Sequence, residues 1–214
     1  MIFELRKEII FPPVHLADQS GIIAVGGDLS PARLIEAYRN GIFPWYSEGE
    51  PITWWSPDPR FVLFPKEIII SKSMRKTLRK NIFQITYNRC FKKVILGCKN
   101  AKRKQTGTWI TNEMAEAYIR LHNLGYAHSI EAWKDGELAG GMYGVSLGKC
   151  FFGESMFTNV SNASKAAIIT LAMRMQELDF SIIDCQVYTD HLDSLGARMI
   201  SREEFISIID KSFS

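Results

Sequence analysis

Strand signals follow one another at hairpin spacing through the second half of the chain. Ser129-Ile130-Glu131-Ala132-Trp133 alternates with period two, and Lys134-Asp135-Gly136-Glu137 supplies a hairpin turn. The pattern resumes over residues 138–146 before Leu147-Gly148-Lys149 turns into Cys150-Phe151-Phe152. A helix starts at Asn162 and runs to about Leu178, with Ala166, Ile169, Leu171 and Met173 available for packing. Residues 181–187 read as a further strand. Strands on both sides of one long helix predict an α+β fold on a mixed sheet. The 214 residues suffice for such a domain and a smaller companion.

The companion is expected over residues 1–62, with the larger domain over 63–214. Phe11-Pro12-Pro13, Gly26-Gly27-Asp28 and Ser56-Pro57-Asp58-Pro59 break any long element in the first segment, which is rich in aromatics. Ser30 fits a helix N-cap and Pro31 the first helical position, and Leu34, Ile35 and Tyr38 share a face. Further on, helices are expected over residues 71–80, 91–98 and 112–123, a strand over 83–87, and a last helix capped by Ser201.

Charge is segregated. Residues 66–104 hold half of the 26 basic residues, with Glu67 as their one acid, so the remainder of the chain is acidic. Lys72, Arg75, Lys76, Arg79 and Lys80 crowd one ten-residue helix. A phosphate backbone relieves such repulsion, and Lys92-Lys93 and Lys102-Arg103-Lys104 extend the patch expected to meet structured RNA. A solvated helix face is the plainer reading. The four cysteines form no C-x-x-C and no histidine sits at finger spacing, so no metal site is expected. No signal-peptide layout and no membrane-length apolar run is visible, so a cytoplasmic protein without membrane contact is expected; a monomer is expected separately.

Two polar groups stand in apolar company. Glu154 lies within Phe151-Phe152-Gly153-Glu154-Ser155-Met156-Phe157. Buried charge is costly unless paired or used, so Glu154 is either an ion-pair partner of Lys165 or Arg60, or a carboxylate that meets a substrate ammonium. Asp184-Cys185-Gln186 ends an apolar run. Residues two apart on a strand share a face, so Asp184 and Gln186 are expected together, the acid accepting from the glutamine amide, with Cys185 turned away. Trp45, Trp54, Trp55, Trp109, Phe151 and Phe152, with Met142 and Met156, are core or the lining of an adaptable apolar pocket. His128 and His191 read as structural.

The chain resembles the leucyl/phenylalanyl-tRNA–protein transferase family. The likeness runs from about Phe11 to Phe205. It is carried by Gly26-Gly27-Asp28-Leu29-Ser30, Tyr38-Arg39-Asn40-Gly41-Ile42-Phe43-Pro44-Trp45, Trp54-Trp55-Ser56-Pro57-Asp58-Pro59-Arg60 and Thr108-Trp109-Ile110. It continues through His128-Ser129-Ile130-Glu131-Ala132-Trp133, the block of residues 151–157, Asn162-Ala163-Ser164-Lys165, Asp184-Cys185-Gln186 and Ser194-Leu195-Gly196-Ala197.

The resemblance implies an aminoacyltransferase of an N-degron pathway. Such an enzyme moves leucine or phenylalanine, and also methionine, from charged tRNA to the N-terminal Arg or Lys of acceptor proteins. It also implies a small N-terminal domain followed by a GNAT-like (acetyltransferase-like) domain, with no metal and no coenzyme. By the same resemblance Asp184 and Gln186 are catalytic and Glu154 is an active-site acid. Lys72, Arg75, Lys76, Arg79 and Lys80 bind tRNA. Trp109, Met142, Phe151 and Leu171 line the aminoacyl pocket, and Trp45 joins them from the aromatic set. A leucine at 171 in place of an aromatic bears on the preference between leucine and phenylalanine. Two other functions compete. An acyl-CoA-dependent N-acetyltransferase ordinarily shows an R/Q-x-x-G-x-G/A turn leading into a helix, and none stands out. A non-catalytic RNA-binding protein leaves Glu154, Asp184 and Gln186 without a purpose.

Overall fold

Several helices of this protein begin where a short polar side chain accepts from a backbone N–H of the first turn. The computed structural model describes residues 2–101 and 109–213, so Lys102, Arg103, Lys104 and Thr108 lie outside the described residues. After strands β1 (Phe3–Leu5) and β2 (Ile22–Gly26), Ser30 accepts from the backbone N–H of Arg33 to start α1 (Pro31–Arg39). Strands β3 (Phe43–Pro44), β4 (Thr53–Trp55) and β5 (Arg60–Leu63) follow. Ser71 then caps α2 (Lys72–Arg79) through Met74 N–H. Strand β6 (Gln84–Tyr87), α3 (Phe91–Lys99), α4 (Asn112–Asn123), β7 (Ala127–Lys134), β8 (Glu137–Leu147) and β9 (Cys150–Thr158) come next. The chain ends with α5 (Ala163–Glu177), β10 (Ile182–Gln186), α6 (Asp190–Asp193), β11 (Arg198–Ile200) and α7 (Arg202–Ser212), the last capped by Ser201.

The strands form two sheets. A four-stranded sheet has the order β1-β2-β4-β3, and a seven-stranded mixed sheet the order β11-β5-β10-β9-β8-β7-β6. Only β9 and β10 are parallel in the larger sheet; every other pair is antiparallel. A small N-terminal sheet precedes a larger mixed sheet, as expected of an α+β chain, and the change of sheet falls between Trp55 and Arg60. One continuous core spans both: Ile23, Leu34, Tyr38 and Trp54 pack in the same cluster as Tyr118, Phe152 and Phe205. The opposite face of the large sheet carries α5, with Met74 of α2 and Phe83.

The segment Ser129-Ile130-Glu131 closes a buried knot at the sheet edge. Glu131 is fully buried and accepts from Ser129 Oγ (2.6 Å), Thr86 Oγ1 (2.7 Å) and the backbone N–H of Cys90 (3.3 Å). Cys90 offers α3 no side-chain cap, so the Glu131 carboxylate takes that role from the neighbouring strand. Among the described residues no helix is long and apolar enough to cross a membrane.

Candidate active site

Two strands are interrupted at the same depth. In the β8–β9 ladder Tyr143 opposes Ser155 and Gly144 opposes Gly153, so Glu154 is an extra residue without a partner. Such a bulge re-aims the inserted side chain. Only glycine fits opposite it, since a Cβ on Gly144 stands 2.3 Å from the Phe152 carbonyl oxygen. In the β10–β5 ladder Asp184 opposes Val62 and Gln186 opposes Phe61, so Cys185 is the extra residue there. Gln186 sits at φ +58°, in the left-handed region that costs a non-glycine residue about 1 kcal/mol or more. The parallel β9–β10 ladder stops at Phe152 and Asp184, and β9 runs on to Thr158 without that neighbour. A cavity of about 910 Å³ opens where the strands part.

Asp184 lies at its floor in a bidentate ion pair. Arg60 Nε donates to Oδ1 at 2.8 Å and Nη2 to Oδ2 at 2.7 Å, with both side chains essentially unexposed. The guanidinium is sandwiched between the Phe43 and Phe205 rings at 4.7 and 4.6 Å, and Nη1 donates to the Gly41 carbonyl. The expected bond from the Gln186 side-chain amide to Asp184 does not form. The bulge brings the backbone N–H of Gln186 to Asp184 Oδ1 instead (3.0 Å), and the Gln186 amide donates to Glu154 Oε1 (3.2 Å).

Glu154 pairs with neither Lys165 nor Arg60. Tyr38 donates to its Oε1 and Tyr118 to its Oε2, both at 2.7 Å, and the two phenol oxygens are hydrogen-bonded to each other. The residue is half-buried at the cavity wall. Burial pushes the acid up to about 7, against the Tyr38 and Tyr118 hydrogen bonds that favour its charge; Asp184 adds to the rise and Arg60 opposes it. Burial first, and the Glu154 charge second, hold both phenols well above the ordinary tyrosine range, so they donate.

Glu154, Asp184 and Gln186 all border the cavity, and so do Trp45, Trp109 and Met142. Phe151 and Leu171 do not. Both are buried in the cluster around α5, because Phe151 pairs with Ile183 inside the sheet, before the strands part, and Leu171 faces the same packed layer. Cys185 also reaches the cavity, with its thiol raised first by burial and next by the Asp184 charge. Tyr38, Tyr118 and His191 were absent from the site read in the sequence. Tyr38 and Tyr118 have the spacing of ordinary core residues on their helices, and nothing local marks them. His191 borders the cavity with Nε2 buried and without a hydrogen-bond partner among the described residues, and burial lowers its proton affinity.

Lys72, Arg75, Lys76 and Arg79 of α2 and Lys80 at its end are all exposed, and among the described residues none is in an ion pair. Lys92 and Lys93 do not continue this surface. Helix α3 buries Phe91, Val94 and Ile95 on one face of the sheet, whereas α2 buries Met74 on the other, with edge strand β6 between them.

Residues 62–210 match the family model described as leucyl/phenylalanyl-tRNA protein transferase, and residues 27–58 match that of its N-terminal domain. The chain is 63% identical over 212 residues to the leucyl/phenylalanyl-tRNA–protein transferase of Syntrophus aciditrophicus, covering 99% of this chain and 89% of that one. It is 57% identical to the enzyme of the same name from Flavobacterium johnsoniae, covering 97% and 99%. Among solved structures it is similar to a GCN5-related N-acetyltransferase from Kribbella flavida, at a TM-score of 0.41 and 8% identity over 78% of this chain and 60% of that one.

Proposed function

The chain belongs to the leucyl/phenylalanyl-tRNA–protein transferase family of aminoacyltransferases, and from that premise we propose that it transfers leucine, phenylalanine or methionine from charged tRNA to the α-amine of an N-terminal Arg or Lys, marking the acceptor for degradation. The observation that carries this reading is the cavity itself. Apolar walls at Trp45, Trp109 and Met142 stand beside a hydrogen-bonded acid and amide, Glu154 and Gln186.

The reaction exchanges an ester for an amide. The acceptor nitrogen attacks the aminoacyl carbonyl carbon and the 3′-terminal ribose oxygen leaves. An α-amine loses its proton near pH 8, so a modest base suffices and positioning supplies much of the rate. Gln186 is a neutral amide and a very poor base. Held through its nitrogen by Glu154, it offers its carbonyl oxygen to the attacking N–H. Asp184 fixes the backbone of Gln186 in its bulged position. The apolar wall admits unbranched-β aminoacyl groups by shape and desolvation, a discrimination of a few kcal/mol.

The α2 side chains approach the tRNA backbone. Arg75→Ala combined with Lys76→Ala is expected to weaken binding of charged tRNA at 150 mM salt and to lower the slope of log affinity against log salt by about 2. Filter binding over a salt series checks this, and an unchanged slope removes α2 from the interface. The function itself is tested by transfer of labelled leucine from charged tRNA to peptides differing only in their first residue. Label on the N-terminal Arg peptide and not on the N-terminal Ala peptide is the expected result; no label on either, or equal label on both, contradicts it.

A further inference from the structure

Three oxygen–oxygen contacts join Glu154 Oε1, Tyr38 Oη, Tyr118 Oη and Glu154 Oε2 into a closed ring. Each contact requires one hydrogen. The two phenols supply two, and the third is present only when the carboxyl is protonated. With Glu154 ionised, both phenols donate to its charge. With Glu154 protonated, its own hydrogen completes the ring. Both phenols therefore keep a hydrogen bond to the acid in either state, while the contact between the phenols carries a hydrogen only when the acid is protonated.

From this ring we infer that Glu154 takes the proton released by the acceptor's ammonium group, and that Tyr38 and Tyr118 are positioning residues that hold the acid ready in both its forms. The inference rests on the aminoacyl-transfer reading of the same site and adds to it the path of the proton. The nitrogen begins with three hydrogens and ends, in the amide, with one. The first proton goes to the Glu154 carboxylate, which frees the lone pair that forms the C–N bond. As the C–O bond breaks, one proton goes with the ribose oxygen to make the 3′-hydroxyl, and the other leaves to solvent, returning Glu154 to its starting state. A carboxyl near 7 is matched to an amine near 8, as a general base at neutral pH must be.

Every element packed around the acid contributes to this balance. Tyr38 comes from α1, Tyr118 from α4 and Tyr143 from β8, while Asp184 and Gln186 come from β10 and Arg60 from β5. Asp184 and Arg60 act in opposite senses and rank below burial and the two phenols, which leaves burial against the phenols as the deciding contest. Tyr38 also brings the N-terminal unit into the chemistry, since it reaches from the small domain to the acid of the large one.

The experiment is the pH profile of single-turnover transfer from pre-bound charged tRNA, with one acceptor peptide throughout so that its own titration is common to all variants. Removing both phenols deletes the donors that favour the ionised acid. In Tyr38→Phe/Tyr118→Phe the acidic limb is expected to move up by about one on the pH scale, so that the rate deficit against the unaltered enzyme shrinks as pH rises to 9. Glu154→Gln is expected to lose the limb and to run at least about a hundredfold slower at every pH. A limb that stays in place in the double phenylalanine variant, with a uniform loss of rate, overturns the assignment. Infrared titration of carboxyl-labelled glutamate, taken as the difference from Glu154→Gln, reads the same proton without any activity. A protonated carboxyl band that disappears at the same pH with and without the phenols also overturns it. Failure of the unaltered chain to transfer at any pH overturns the proposed function, while the infrared titration still decides the role of the tyrosines.

Discussion

Arg60→Met is expected to destabilise the fold by about 3–5 kcal/mol, because it strands a fully buried carboxylate. Asp184 has no exposure, and its two oxygens are taken by Arg60 and by the Gln186 backbone N–H. Without the guanidinium the acid faces an apolar wall that includes Phe43 and Phe205. Asp184→Leu is expected to cost a similar amount from the other side, since it leaves a buried cation between two rings. The double variant is expected to cost much less than the sum of the singles, because both desolvated charges go together. Urea unfolding of the four proteins measures this. Additive losses contradict a tightly coupled pair. The same substitutions are expected to abolish most transfer, the double included, because Asp184 also holds the bulge at Gln186.

Glu154→Gln is expected to make the protein more stable and much less active. The folded acid titrates near 7 and an unfolded glutamate near 4.5, so the folded chain binds the extra proton between those values. Stability from this group is fully present below pH 4.5 and is lost as pH rises through 7. At pH 8 the ionised carboxylate sits where burial disfavours charge, a penalty of about 3 kcal/mol. A glutamine reproduces the protonated acid, with an oxygen to accept from one phenol and an amide to donate to the other. The gain is therefore expected to approach about 3 kcal/mol at pH 8 and to vanish near pH 4.5. Chemical unfolding at a series of pH values checks it, and a gain that is constant with pH contradicts the cause given.

The sequence carried the fold through signals that act locally. Ser30 and Ser201 cap the helices expected of them, and Lys134-Asp135-Gly136-Glu137 turns β7 into β8 with Asp135 and Gly136 at positive φ. The basic face of α2 was legible because four cations on eight residues, with Lys80 at the C-cap, leave only Met74 to bury. What the sequence hid depends on partner strands. A bulge exists only relative to the strand opposite, so strict alternation placed the Gln186 amide on Asp184, whereas one inserted residue passed it to Glu154. The Arg60–Asp184 pair joins residues 124 positions apart, and the Tyr38–Glu154 bond spans 116. Phe151 and Leu171 share the apolar character of Trp109 and Met142, and only the fold sets Phe151 inside the sheet beside Ile183 and Leu171 in the packed layer around α5.

The account stands on where the aminoacyl group sits, and a structure with a non-hydrolysable aminoacyl-adenosine tests that most directly. Leucyl-adenosine joined through an amide in place of the ester is the appropriate ligand. Its side chain is expected between Trp109 and Met142, with its carbonyl group beside Gln186 and Glu154. A ligand bound away from these residues, or a cavity that excludes it, contradicts the account.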